Sequence, residues 1–257
     1  ISVQGGKRVR GSSGGGPRNF EISEESEDTV PLEVKNRLAL ALDVDDLIDA
    51  RRLAGSLFDF FGTVKVGLEL YIAAGPDSVG VFTEAGFDVF CDLKLHDIPT
   101  TVNKAARVVG SLGARWVTVH AAGGEEMLKS AVEGLREGAE SVGLPTPGVL
   151  GVTVLTSDSI KKEETIVSRC ETSLNAGCEG IICAAPDLGV TSSFSGELIR
   201  VVPGLRMPDG NSHDQVRVAT PMEAISGGAD MLVIGRMVTE AENPIEASEE
   251  LVSGLLG

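Results

Sequence analysis

The chain has 257 residues and a formal net charge of −16, with 42% hydrophobic and 23% charged residues. Such composition is ordinary for a soluble globular protein, the length fits one large α/β domain or two small ones, and the negative charge argues against general binding of nucleic acid or anionic membrane. No apolar run reaches the roughly 18 residues of a membrane span.

Residues 1–36 are expected to be a flexible tail. Gly5 to Pro17 is rich in glycine, serine and arginine, and Glu21 to Asp28 is acidic, with no apolar period and no apolar stretch of the signal-peptide kind. From Arg37 onward, β-branched runs alternate with segments of helical character. The predicted strands are Leu38–Val44, Val64–Leu70, Asp88–Leu95, Trp116–Ala121, Val149–Leu155, Gly180–Ala184, Ile199–Leu205 and Met231–Arg236. Between them, Asp45 or Asp46 caps a helix over Leu47–Phe60. Pro99 opens one reaching Ser111, and Gly124–Gly138 carries Met127, Ala131 and Leu135 at helical spacing. Ser157 or Asp158 caps Ile160–Ala176, and Pro221 and Pro244 open the last two helices.

Eight β/α units in about 220 residues predict one domain, residues 37–257, folded as an eight-stranded parallel β/α (TIM) barrel. An open doubly wound sheet is the alternative, but no glycine-rich dinucleotide loop follows the first strand. Within that strand Leu38, Leu40 and Leu42 alternate with Ala39, Ala41 and Asp43. The leucines should face the helices, and the alanines and aspartate the barrel interior.

The third strand carries the most informative segment, Asp92-Leu93-Lys94-Leu95-His96-Asp97-Ile98-Pro99. Asp92 and Lys94 share a face and should point into the barrel mouth, while Leu93 and Leu95 face the helices. Lys65 interrupts the second strand and has an obvious partner there, since charges are seldom buried unpaired. Asp97 falls on the opposite parity, past the strand end, so it need not converge on the same interior site and could instead serve a neighbouring subunit.

Barrels often bind phosphate after strands seven and eight. Here those strands end in Pro203-Gly204-Leu205-Arg206 and Ile234-Gly235-Arg236, separated by a polar loop from Met207 to about Arg217 with the character of a lid. Thr156, ending strand five, could hydrogen-bond a polar ring. His120 reads as structural, and His96 and His213 as either solvated or packed behind residues that touch the ligand. Cys91, Cys170, Cys178 and Cys183 form no C-x-x-C pair and are expected to be reduced thiols of a cytoplasmic protein.

These motifs resemble the bacterial form of the orotidine 5′-monophosphate decarboxylase family. Leu40-Ala41-Leu42-Asp43, Val64-Lys65-Val66-Gly67, the Asp92–Pro99 segment, Val152-Thr153-Val154-Leu155-Thr156, Pro203-Gly204-Leu205-Arg206, Asp214-Gln215 and Val233-Ile234-Gly235-Arg236 occur in the family's order, from about Arg37 to Leu256. The resemblance implies a metal-free and cofactor-free decarboxylase that makes UMP as a homodimer with shared sites. Lys65, Asp92, Lys94 and Asp97 would form a charged tetrad, with Lys94 as proton donor and Asp97 coming from the partner. Asp43 and a partner-derived Thr101 would contact the ribose, and Thr156 the pyrimidine. Arg206, Gln215, Gly235 and Arg236 would hold the phosphate, with Pro203 also lining the substrate site and the loop Met207–Val216 closing over it. The nearest rivals are metal-dependent sugar-phosphate barrels and a non-catalytic nucleotide-binding barrel.

Overall fold

A computed structural model describes residues 30–155, 162–206 and 219–257. The strands are β1 (Leu38–Leu42), β2 (Thr63–Gly67), β3 (Asp88–Leu95), β4 (Trp116–His120), β5 (Gly148–Val152), β6 (Gly180–Ile182), β7 (Ile199–Val202) and β8 (Met231–Ile234). Every neighbouring pair is parallel, and β1 pairs with β8, so the sheet closes into the predicted barrel.

The helices are α1 (Leu32–Lys35), α2 (Leu47–Ser56), α3 (Leu68–Ala74), α4 (Asp77–Glu84), α5 (Pro99–Ser111), α6 (Glu125–Ser141), α7 (Glu163–Asn175), α8 (Pro221–Ser226), α9 (Arg236–Thr239) and α10 (Pro244–Leu256). Their starts follow local chemistry. Asp46 accepts from the N–H groups of Ile48 and Asp49, at 2.8 and 2.9 Å, so the second of the two candidate aspartates caps α2. Thr220 and Glu223 form a reciprocal capping box on α8. The expected caps Ser157 and Asp158 of α7 lie outside the described residues.

Several expected boundaries move, and β1, β4, β5, β6 and β7 each end one to three residues early. β2 stops at Gly67 rather than Leu70, because Leu68 already begins α3. Leu68-Glu69-Leu70 alternates apolar and polar as a strand would, which hid the change from strand to helix. Similarly, α2 ends at Ser56, four residues early, and β8 ends at Ile234, with Arg236 opening α9. Within the segment assigned to the tail, Leu32–Lys35 makes one helical turn.

Two apolar layers carry the fold. Leu38, Leu40 and Leu42 pack outward with Ala50, Ala54 and Leu57 of the α2 region. Ala39 and Ala41 turn inward with Phe90, Trp116, Leu150, Met231 and Val233. The predicted alternation of β1 therefore holds at each of these positions. Trp116 is satisfied at the amino-terminal end of the barrel, where its Nε1 donates to Glu179 at 3.1 Å and Arg115 stacks over its ring. The four cysteines are all free and buried.

Candidate active site

The inward residues of β2 and β3 change from apolar to charged as the strands approach their carboxyl ends. Phe90 fills the interior, and two and four residues later Asp92 and Lys94 line a cavity of about 130 Å³. Lys65 lines it from β2, with Val152, Val154, Ile182, Pro203 and Val233 as apolar walls.

The charges form an alternating chain. Lys65 Nζ lies 2.9 Å from Asp43 Oδ1 and 3.7 Å from Asp92 Oδ2, and Lys94 Nζ lies 2.8 Å from Asp92 Oδ1. The Asp92 and Lys65 side chains are only 13% and 10% exposed, against 32% for Lys94, so the lysine nearest the opening is also the one that solvent or substrate can reach. Burial pushes the Asp92 carboxyl up, but the Lys65 and Lys94 charges and hydrogen bonds from Lys94 and Thr118 outweigh it and hold the group below its ordinary value. Gly67 lies close against this chain, where a Cβ would sit 3.1 Å from Lys65 Nζ and 3.2 Å from Asp43 Oδ1.

Lys94 adopts φ +49°, the only left-handed non-glycine residue among those described. Thr118 of β4, which the sequence did not single out, is fully buried beneath it. Its hydroxyl accepts from Lys94 N at 2.8 Å and donates to Asp92 Oδ1 at 3.0 Å. His120 and His96 stack at 5.4 Å between ring centroids just beyond. Burial lowers the His120 pKa, helped by His96, Lys94 and Arg169, so it is held neutral.

Asp97 and Thr101 do not join this chain. Both are exposed, and Asp97 Oδ1 accepts from its neighbour Ile98 N at 2.7 Å, at the start of α5. Ile98 beside them is 66% exposed. Arg206, Gly235 and Arg236 follow β7 and β8, which pair side by side, at the same end of the barrel as Lys94. Arg206 is anchored by its backbone N–H to Ala219 O, and its guanidinium donates to Leu205 O at 2.9 Å. Thr156, Gln215 and the loop Met207–Val216 lie outside the described residues.

Comparison with known proteins agrees in sequence and in shape. The family model described as "Orotidine 5'-phosphate decarboxylase / HUMPS family" matches residues 36–251. The chain is 37% identical to the orotidine 5′-phosphate decarboxylase of Moorella thermoacetica over 88% of its length and 95% of that protein's. It is 43% identical to the Cutibacterium acnes protein of the same name, over 72% of this chain and 81% of the relative. A crystal structure of orotidine 5′-phosphate decarboxylase from Lactobacillus acidophilus superposes with a TM-score of 0.74 at 32% identity, covering 86% of this chain and 99% of that one.

Proposed function

The chain belongs to the orotidine 5′-phosphate decarboxylase / HUMPS family and is a carboxy-lyase that decarboxylates orotidine 5′-monophosphate to UMP in pyrimidine biosynthesis, and from that premise we propose that Lys94 is its proton donor. The observation that carries the proposal is the Lys94 ammonium, held 2.8 Å from Asp92 at the cavity wall.

When the ring-carbon–carboxylate bond breaks, its electron pair stays in the ring plane with little delocalisation. Carbon dioxide leaves, and a Lys94 N–H proton passes to that carbon. The neutral amine then regains a proton from solvent. A preorganised charge facing the developing carbanion contributes about 3–4 kcal/mol. Positioned proton donation adds roughly 10²–10⁴ in rate. Asp92 keeps Lys94 charged and crowds the departing carboxylate, and Lys65 fixes Asp92. We assign Asp43 to the ribose, with Thr156 to the pyrimidine. Arg206, Gln215, Gly235 and Arg236 would take the phosphate, beside Pro203. Binding energy from that remote phosphate would appear in the transition state through closure of the loop Met207–Val216.

The exposed position of Asp97, Ile98 and Thr101 supports a homodimer in which Asp97 and Thr101 complete the partner's site. Four buried free thiols suit a reducing cytoplasm. The reading needs neither metal nor cofactor. Carbon dioxide release from orotidine monophosphate should persist in excess chelator and vanish in Lys94→Ala with the fold intact. Substantial turnover by that variant would refute the proton-donor role, and loss of activity with chelator would favour a metal-dependent sugar-phosphate chemistry.

A further inference from the structure

β3 and β4 do not stay in step. Phe90 pairs with Trp116 and Cys91 with Val117, but the next pair is Leu95 with Val119. Three residues of β3, Asp92 to Lys94, thus face one residue of β4, Thr118. Such a bulge interrupts the ladder and bends the strand. Lys94 lies within it in the left-handed region, which side chains seldom enter without support from their surroundings.

The Thr118 hydroxyl gives that support. It takes the Lys94 N–H at 2.8 Å and gives its proton to Asp92 Oδ1 at 3.0 Å, while the same oxygen accepts Lys94 Nζ at 2.8 Å. Lys94 is therefore tied at its backbone and, through Asp92, at its ammonium to one buried hydroxyl. Only a group that both accepts and donates can do this, and a hydroxyl does both. A valine would have the shape and neither function, leaving a buried N–H unpaired and the carboxylate short of one donor.

We propose that Thr118 is a positioning residue for the decarboxylation, holding the bulge and Asp92 so that the Lys94 ammonium is fixed in place. The inference rests on the reading of Lys94 as proton donor. Asp92 is faced by Lys65 of β2, by Lys94 of its own strand and by Thr118 of β4. Asp43, beyond β1, reaches it through Lys65, and the other titratable neighbours are the adjacent Cys91 thiol and His120 of β4, with His96 against it.

The test compares kcat, KM and the pH profile of kcat in wild type, Thr118→Val, Thr118→Ser and Lys94→Ala. Thr118→Val should lose roughly ten- to a hundredfold in kcat, as expected for a lost charge-assisted hydrogen bond, with KM little changed. Its acid limb should move to higher pH, because the Asp92 carboxylate has lost a donor. Thr118→Ser should recover most of kcat and the wild-type limb. Wild-type kcat and limb in Thr118→Val would overturn the proposal, as would equal damage in the serine variant. If the valine variant fails to fold, Thr118→Ala replaces it against serine under the same criteria. Turnover by Lys94→Ala would sink the proton-donor reading itself. An inactive Lys94→Ala beside an unimpaired Thr118→Val would sink only the role of Thr118.

Discussion

Lys94 and its neighbours set how stability should respond to acid. The Asp92 carboxyl lies below its ordinary value of 3.8 in the folded chain. Its stabilising contribution is therefore complete above 3.8 and is lost as pH falls through the lower folded value. His120 also lies below its ordinary value of 6.5. The unfolded chain takes that proton first, so stability declines as pH drops below 6.5. Urea midpoints should show two declines with the same sign, and His120→Asn should remove only the upper one. At the other end of the site, Arg206→Ala should raise KM for the nucleotide with little change in Tm. Equal affinity of the wild type for phosphorylated and dephosphorylated substrate would remove Arg206 from the phosphate site. Lys65, Asp92 and Lys94 stood out in the sequence because charges inside strand runs need partners. Thr118 did not, since threonine is an ordinary strand residue and its role depends on a register slip that only the folded sheet reveals.

The elements follow from different amounts of local information. The two faces of β1 were legible over Leu38–Leu42, because leucine and alanine alternate and the two faces need different sizes, but the strand stops two residues short of the expected Val44. α5 and α8 were legible because a proline marks each start. α3 and α4 were missed, since Gly67-Leu68-Glu69-Leu70 carries the strand-like pattern of β2 straight into α3 and only Gly75-Pro76 separates the two helices. The packing of α5 on α6 was also invisible in the sequence. A Cβ at Gly134 would lie 2.2 Å from Asn103 O, one at Gly138 2.0 Å from Arg107 O, and one at Gly110 2.1 Å from Leu135 O. The backbones touch where these glycines sit. Gly134→Ala should cost about 1–3 kcal/mol by forcing the helices apart, read as a lower Tm. α5 follows directly from Asp97 and begins at Pro99, so the same variant should also disturb any site that Asp97 completes. Asp46→Ala, by contrast, removes only a helix cap and should cost about 0.5–2 kcal/mol with kcat unchanged.

At the level of the whole molecule, one chain builds the Asp43–Lys65–Asp92–Lys94 line and leaves Asp97 facing outward. If two chains complete each other, inactive Lys94→Ala and inactive Asp97→Ala chains should rescue one another. Random hybrids would regain about a quarter of wild-type activity, because one of the two sites in each hybrid is intact and half of the dimers are hybrid. No regained activity would mean that Asp97 does not act across subunits. The buried sulfur atoms give a separate handle on the molecule. Burial pushes the thiols of Cys91, Cys178 and Cys183 up to about 12 and that of Cys170 to about 11, and none is more than 5% exposed. The thiolate is the reactive species, so alkylating reagents should leave the native protein unlabelled and mark it only when the barrel opens. Mass gain over time then becomes a chemical clock for global opening, and a nucleotide that binds only the closed barrel should slow it.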